Sequence, residues 1–226
     1  TDGNESTCTL TITVEDDDVP TFVDAPNSVT TPTTSGCGGE IPDLTNIMVT
    51  ENCPDNLTIS QDPVEGTAFG SSHGETMDVI VTATDGTNTA THTVTVTLQD
   101  DDAPNITTNC ASLNQTAAAN PISCNGNVTV GMPVATDNCM VVSLLNDYNG
   151  TTDASGPYPT GQTTVTWTAI DPGGNTTTCE TIVTIADNIV PNLTCPDRTV
   201  GTDEGVCTSA YFDDTSILAD NCAVAS

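Results

Sequence analysis

The chain has 226 residues, of which 31 are acidic and only one is Lys or Arg, so its formal net charge is −30. This charge excludes nucleic acid as a partner, because phosphate binding needs Lys and Arg, and it argues against docking on anionic lipid. No apolar run approaches the roughly 18 residues of a membrane helix, so direct membrane insertion is not expected. Disorder is the alternative for so acidic a chain, but regular strand periodicity and 10 cysteines favour folded domains.

The number of cysteines indicates an oxidising compartment. Ten cysteines without a CxxC pair, beside only two histidines, fit disulfides in an oxidising compartment better than zinc sites. Free or metal-binding thiols are the alternative. No signal peptide is visible and the chain opens in mid-pattern at Thr1. We therefore expect an internal window of a longer protein that is secreted, extracellular or on the cell surface.

An alternating stretch that runs into an acidic cluster and then a proline occurs three times, at Pro20, Pro104 and Pro191. The prolines are 84 and 87 residues apart, which is the period of a small sandwich domain. This period predicts the following division: the C-terminal strand of a preceding domain at 1–18, whole domains at 19–102 and 103–189, and the N-terminal part of a following domain at 190–226.

Within the second whole domain, strands are predicted at 127–130, around 141–145, at 163–171 and at 178–186. The first whole domain repeats this order, with alternating residues at 79–85 and 91–98. Short alternating strands separated by turn signals predict an all-β sandwich, and no helical stretch is visible.

The second whole domain resembles the hyalin repeat, known as HYR, in the segments 134–139, 159–161 and 164–175 and at Cys179. The last fragment fits the same pattern at Cys195-Pro196 and at 219–222. The domain at 19–102 is a looser match, since it lacks the opening Cys-Pro and has His92 where the final strand should carry Cys.

The resemblance implies tandem immunoglobulin/fibronectin III-like β-sandwiches in an extended rod, belonging to an extracellular adhesive protein. Very acidic arrays of such repeats are similar to the SprB-type surface adhesins of gliding Bacteroidetes-type bacteria. On this basis we expect a non-enzymatic stalk that presents a distal adhesive tip. The alternatives are a subunit of an extracellular filament and a glycan- or protein-binding module. Exposed aromatic residues on a loop would favour the binding module, and only Tyr148 and Tyr158 meet this criterion.

Comparison of the repeats predicts the disulfides. The second whole domain has Cys110, Cys124, Cys139 and Cys179, whereas the first has only Cys37 and Cys53, at the positions of Cys124 and Cys139. The first and last positions are lost together, which suggests that they pair with each other. We therefore predict Cys37–Cys53, Cys124–Cys139, Cys110–Cys179 and Cys207–Cys222. Cys8 and Cys195 are expected to pair beyond the window.

In a sandwich of this topology, the loop after the second strand and the last hairpin loop face the linker from the preceding domain. Three such joints are predicted to gather carboxylate and amide oxygens: Asp16, Asp17 and Asp18 with Glu51, Asn52, Asp55, Asp85 and Asn88; Asp100, Asp101 and Asp102 with Asp137, Asn138, Asp171 and Asn175; and Asp187 and Asn188 with Asp220 and Asn221.

Calcium takes six to eight oxygen ligands in flexible geometry, whereas magnesium demands stricter geometry and zinc prefers His or Cys. The joints are therefore predicted to bind Ca²⁺, and they resemble the Asp-rich calcium-binding linkers of cadherins. A solvated acidic linker is the alternative. The expected partners are neighbouring repeats of the same chain, with surface glycans or proteins as further candidates.

Catalysis is not expected. Paired carboxylates serve as acid and base in glycosidases, but here they cluster at joints without an aromatic sugar platform. His73 and His92 are single and distant in sequence, and nothing in the chain suggests a Ser-His-Asp site.

Overall fold

A computed structural model describes residue 3, residues 5–194 and, beyond these, residues 197, 199, 201, 202, 204, 205, 217–220 and 222. The chain divides into two compact units, unit 1 (residues 1–102) and unit 2 (residues 103–226). The described part is all-β, as predicted, with two short 3₁₀ helices at Pro54–Asn56 and Cys110–Leu113. Neither of these described helices has the length and hydrophobicity that crossing a membrane requires.

Unit 1 is built from eight described strands. They are β1 (Thr21–Phe22), β2 (Ser28–Pro32), β3 (Gly39–Glu40), β4 (Val49–Thr50), β5 (Thr58–Asp62), β6 (Ala68–Phe69), β7 (Thr76–Thr84) and β8 (Thr89–Gln99). The main sheet has the order β2-β8-β7-β5, and the pairs β1-β4 and β3-β6 supply the shorter strands. Strand β2 is parallel to β8, while the other pairings of the main sheet are antiparallel.

The alternation of Thr with Val creates the buried face of this sheet. Along β8 the side chains of Val94, Val96 and Leu98 are fully buried, and the Thr residues between them are not. These side chains pack against Val79 and Val81 of β7 and against residues outside the main sheet, including Ile41, Leu44 and Phe69. Each fully buried aliphatic side chain contributes roughly 1.5–3 kcal/mol, so a core with few aromatic residues is sufficient to hold the layers together.

Unit 2 repeats this architecture. Its strands are β9 (Asn105–Ile106), β10 (Gln115–Ala118), β11 (Asn125–Val128), β12 (Ala135–Thr136), β13 (Ser143–Asn146), β14 (Gly156–Pro159), β15 (Gly161–Ile170), β16 (Thr176–Ala186), β17 (Asn192–Thr194) and β18 (Ile217–Ala219). The main sheet has the order β10-β16-β15-β13, again with a parallel first pair. The pairs β9-β12, β11-β14 and β17-β18 complete the described strands.

The core of unit 2 is centred on Trp167, which is fully buried and donates from its indole nitrogen to Oγ1 of Thr181 at 3.3 Å. Trp167 lies opposite Cys179 in the pairing of β15 with β16. Cys179 forms the predicted disulfide with Cys110, whose Cα atom is 6.1 Å away. The bond ties the short helix at the start of unit 2 to its last long strand.

In unit 1, His92 lies opposite Val81 in the pairing of β7 with β8, as Cys179 lies opposite Trp167. Its Nε2 is 3.0 Å from the carbonyl oxygen of Pro26, and its ring is 5.5 Å from the ring of Phe22. A hydrogen bond and a ring contact therefore stand where unit 2 has a covalent bond.

The predicted Cys37–Cys53 disulfide is wrong, because Cys53 is a thiol in the structure. Cys37 lies in the turn that follows Thr33, whose amide donates to the carbonyl of Gln99 at the end of β8. Cys53 lies beside Asp16 and Asp85, near the start of β8. Cys37 thus lies at the pole of the sandwich where β8 ends, and Cys53 lies at the opposite pole, where β8 begins. The 11 extended residues of β8 separate the two poles by roughly 30 Å. A disulfide needs Cα atoms about 4.4–6.8 Å apart.

The predicted Cys124–Cys139 bond is wrong for the same reason, since Cys124 is also a thiol. The turn that holds Cys124 begins at Ala119, whose amide donates to the carbonyl of Ala186 at the end of β16. Cys139 lies close to the other end of that strand, three residues before Val142, whose amide donates to the carbonyl of Ile170. The predicted Cys207–Cys222 bond stays a prediction, because Cys207 lies outside the described residues, as does Cys195.

Residues 5–18 contain no strand. The alternating apolar side chains of this segment, Leu10, Ile12 and Val14, are all exposed. The prediction that residues 1–18 form the last strand of a preceding domain therefore stays a prediction, because a strand needs a neighbouring strand to pair with.

Candidate metal centre

The hairpin between β7 and β8 supplies the first carboxylate of the candidate centre. Asp85 is only 5% exposed, and its Oδ1 accepts hydrogen bonds from the amides of Thr87 and Asn88, both at 2.7 Å. These bonds, the one from Asn88 foremost, hold the pKa of the Asp85 carboxyl below its usual value. Asp85 is therefore a buried, ionised carboxylate at neutral pH.

The loop between β4 and β5 supplies the second carboxylate. Oε1 of Glu51 accepts from the amides of Asn52 at 2.7 Å and Cys53 at 3.3 Å, which fixes the side chain against its own loop. Oε2 of Glu51 is buried and has no hydrogen-bond partner. A buried polar atom without a partner costs about 1–3 kcal/mol, and more when the group is charged.

The linker at 16–18 supplies the third carboxylate and is attached to both loops. The side-chain amide of Asn88 donates to the backbone carbonyl of Asp16 at 3.1 Å, and that of Asn52 donates to Oδ2 of Asp18 at 2.9 Å. The amide of Asp18 also donates to Oδ1 of Asp16 at 3.3 Å, which curves the linker around the half-buried Asp16.

Carboxylate oxygens of Asp16, Glu51 and Asp85 all lie within 4.8 Å of one another. Oxygens bound to one calcium ion at about 2.4 Å are at most about 4.8 Å apart, so the three atoms fit a common ion. At an effective dielectric constant of 20, two unit charges at this distance repel by roughly 3 kcal/mol. The negative charge of Asp16 is also the largest cause that raises the pKa of the neighbouring Cys53 thiol.

Other residues predicted for this joint have different positions. Asp17 is exposed and lies outside the cluster, and Asp55 is exposed in the 3₁₀ helix. Asn52 and Asn88 use their side-chain NH2 groups as donors to the linker and so hold the joint together; their part as oxygen ligands stays a prediction. The thiol of Cys53 is an addition that sequence reasoning missed, because its predicted pairing placed it in a disulfide.

Unit 2 presents the same two loop carboxylates. Asp171 is 3% exposed and accepts from the backbone amide of Asn175 at 2.8 Å and from its side-chain amide at 2.9 Å, as Asp85 does with Asn88. Asp137 accepts from the amide of Cys139 at 2.9 Å, and its Oδ2 is buried without a hydrogen-bond partner, as in Glu51. Asn138, the other predicted ligand of this loop, is half-buried.

The linker residues predicted to face these loops end unit 1. Asp100 is 2% exposed; its amide donates to Nδ1 of His73 at 3.0 Å, and its Oδ1 accepts from Thr33 at 3.3 Å. Asp101 accepts from the side-chain amide of Gln99 at 2.7 Å, and the amide of Asp102 donates to Oδ1 of Asp100 at 3.4 Å. Because these residues and their predicted loop partners belong to different units, the second joint stays a prediction.

The third predicted joint is described in part. Oδ1 of Asp187 accepts from the amide of Ile189 at 3.1 Å, and Asn188 is exposed. Asp220 is half-buried, and Asn221 lies outside the described residues. The side chain of Asp187 contacts Cys222; burial, followed by hydrogen bonds with Cys124 and Asp187, raises the pKa of the Cys222 thiol to about 12.

No family model matches the chain. Hyalin of Strongylocentrotus purpuratus is 28% identical to it over 194 residues, which cover 85% of this chain and 16% of hyalin. The chain thus spans about a sixth of the length of this curated relative.

Among solved structures, the chain is similar to immunoglobulin domains 1–5 of Sidekick-1, with 13% identity and a TM-score of 0.40, over 78% of this chain and 40% of that one. It is also similar to the EC1-2 fragment of human protocadherin-24, with 13% identity and a TM-score of 0.36, over 74% of this chain and 99% of that one.

Proposed function

We propose that this chain is a non-enzymatic repeat segment of a large secreted adhesive protein, in which calcium ions bound at the joints stiffen a rod-like stalk. The observation that carries the proposal is the cluster of Asp16, Glu51 and Asp85, with the buried, unpartnered Oε2 of Glu51 among its oxygens. The similarity to hyalin along most of the chain supports an extracellular repeat protein. So does the disulfide between Cys110 and Cys179.

A divalent cation removes two energetic costs of this cluster at once. It supplies a partner to Oε2 of Glu51, and it converts the repulsion among three carboxylates into attraction. The chain has one Lys or Arg in total, and neither residue type occurs within 5–194, so no Lys or Arg side chain there offsets the charge. The donor atoms are carboxylate oxygens, which favours calcium over zinc. They come from three separate segments, which suits the flexible coordination of calcium better than the strict geometry of magnesium.

The ligands come from three separate segments of unit 1, which is why binding has a mechanical effect. Asp16 belongs to the linker that enters the unit, whereas Glu51 and Asp85 belong to two loops of the sandwich itself. An ion held by all three fixes the linker to the domain. When the ion is removed, the amide bonds from Asn52 and Asn88 remain as the weaker attachment.

The partners proposed for the stalk are the neighbouring repeats of the same chain and, at a distal tip, surface glycans or proteins. The rival function of a glycan-binding module loses its aromatic platform in the structure. Tyr158 is fully buried, and Tyr148 stacks on it with ring centroids 4.1 Å apart. The likeness to SprB-type gliding adhesins stays a prediction from the sequence.

Calorimetric titration with calcium at physiological salt tests the metal centre, because this ionic strength screens non-specific attraction to the acidic surface. We expect millimolar or tighter binding to the wild type, and Glu51→Gln should weaken one site by roughly tenfold or more. Glu65→Gln is the matched control, since Glu65 is exposed on a turn outside the cluster. Absence of calcium uptake at millimolar concentration, or equal binding by both variants, would refute the proposal.

A further inference from the structure

We propose that Cys124 and Cys222 form a disulfide that ties the segment after residue 190 to the body of unit 2. The predicted pairing of Cys124 with Cys139 is wrong, and the structure brings Cys124 into side-chain contact with Cys222 instead. The inference concerns covalent chemistry and does not depend on calcium binding.

The position of Cys124 is set by the turn between β10 and β11. The amide of Ala119 donates to the carbonyl of Ala186 at 2.8 Å, which anchors the start of the turn to the end of β16. The amide of Cys124 then donates to the carbonyl of Asn120 at 3.2 Å, and its own backbone has a φ of +53°. This conformation is uncommon for a residue other than glycine, and it holds the half-buried side chain at the pole where β16 ends.

The position of Cys222 is set from the other side by the two-stranded sheet of β17 and β18. Asn192 of β17 pairs with Ala219 of β18, which returns the chain to the region just after β16. Cys222 follows three residues later, and its side chain contacts both Cys124 and Asp187, the residue directly after β16. Two segments nearly a hundred residues apart in sequence thus place a thiol at the same point.

Formation of the bond requires an oxidant, for which we name a disulfide such as that of a small thiol or an oxidoreductase. The thiolate of one cysteine attacks a sulfur of the oxidant, forms a mixed disulfide and releases one thiol. The thiolate of the second cysteine then displaces the other thiol and closes the Cys124–Cys222 bond. Each cysteine loses one proton, and the two electrons reduce the disulfide of the oxidant to two thiols.

The consequence of this bond is a covalent clamp on one joint of the array. It closes beside Asp187, which belongs to the third predicted acidic joint, so the following segment is tethered whether or not a cation is bound. Reduction would release that segment while the sandwich of unit 2 keeps its own bond between Cys110 and Cys179. The tether is therefore a redox-dependent element separate from the fold of the unit.

Peptide mapping of the whole chain, refolded with a glutathione redox buffer, then alkylated and digested under non-reducing conditions, tests the pairing. The chain has one Lys or Arg, so cleavage before aspartate combined with a chymotryptic cut at Leu113 is needed to separate Cys110 from Cys124. We expect a peptide that links Cys124 to Cys222, present with and without a calcium chelator. In Cys222→Ser we expect Cys124 to become alkylated, whereas Cys53→Ser, the control, should leave the linked peptide unchanged.

The Cys110–Cys179 peptide is the internal standard for oxidation and folding. If that peptide is linked while Cys124 and Cys222 are both alkylated in the wild type, the proposal is overturned. A peptide that joins Cys124 to Cys139 overturns it as well. So does stoichiometric zinc retained by the two thiols, measured by elemental analysis.

Discussion

Asn88 donates from its side-chain amide to the backbone carbonyl of Asp16 at 3.1 Å, across 72 residues of sequence. The same amide lies 3.4 Å from Oδ2 of Asp85, so Asn88 joins the entering linker to the hairpin between β7 and β8. An uncharged group thus attaches the linker to the sandwich of unit 1. This attachment does not require a bound cation.

Asn88→Ala should loosen residues 16–18 without unfolding the sandwich. The change removes a net contribution of about 0.5–1.5 kcal/mol, so amide hydrogen exchange in the linker should accelerate by roughly two- to tenfold. Mass-spectrometric exchange measured with and without calcium checks this. Asn27→Ala is the control, because Asn27 is exposed outside the joint. Unchanged exchange at 16–18 would contradict the role assigned to Asn88.

Removal of the Cys110–Cys179 disulfide should lower the stability of unit 2 alone. The bond spans 69 residues, and the loop-entropy model predicts that a double change to Ser lowers the free energy of unfolding by about 4 kcal/mol. The chain has one Trp, the buried Trp167 beside this bond, so its fluorescence reports unfolding of unit 2. Cys8→Ser, at an exposed thiol, should leave the transition unchanged. A shift below 1 kcal/mol would contradict the stabilisation assigned to this bond.

His92→Ala should lower the stability of unit 1 by about 1 kcal/mol, because it removes the hydrogen bond to Pro26 and the ring contact with Phe22. Circular dichroism during denaturant unfolding should show that unit 1 of the variant unfolds at a lower denaturant concentration than wild-type unit 1. The unfolding of unit 2, followed by the fluorescence of Trp167, should stay unchanged. Thr91→Ala, at the neighbouring exposed position, controls for the loss of a β-favouring side chain. If unit 1 unfolds at the same denaturant concentration in His92→Ala as in the wild type, the histidine does not stabilise unit 1 in place of a disulfide like that of unit 2.

Tyr158 should titrate far above a free tyrosine. Burial is the largest cause that raises its pKa from 10.0 to about 12, and its hydroxyl donates to the carbonyl of Ala154 at 2.6 Å. Because the folded-state pKa is the higher one, the stabilising contribution is complete below pH 10 and is lost as the pH rises towards 12. Ultraviolet absorbance of tyrosinate should show a late step that disappears in Tyr158→Phe. Tyr148→Phe should retain that step, and a wild type in which every tyrosine titrates near pH 10 would contradict the burial.

The repeat period and the alternation of Thr with Val were enough to predict the all-β fold and most of the long strands. The same comparison identified Cys110 and Cys179 as partners, because unit 1 lacks both positions together. It failed for Cys37 and Cys53, since closeness in sequence was taken for closeness in space. The two cysteines lie at opposite poles of the sandwich, and the chain crosses from one pole to the other between them.

The candidate centre shows a similar division. The acidic linker and the two loops that face it could be predicted, since strand order decides which loops share a pole. The roles within the cluster could not. Asp17 turns to solvent, and the side-chain NH2 groups of Asn52 and Asn88 donate hydrogen bonds to the linker. Such roles depend on the direction of single side chains, which residue type and spacing do not specify.

Periodicity and composition act locally, so they were enough to predict the strand pattern, the repetition of the sandwich and the acidity of the joints. Which groups meet depends on the tertiary structure. The packing of the units pairs β2 with β8 and β10 with β16 in parallel, gathers Asp16, Glu51 and Asp85 from three segments, and places Cys124 beside Cys222. These contacts follow from how the layers pack, and packing is a property of the whole unit rather than of any one stretch of its chain.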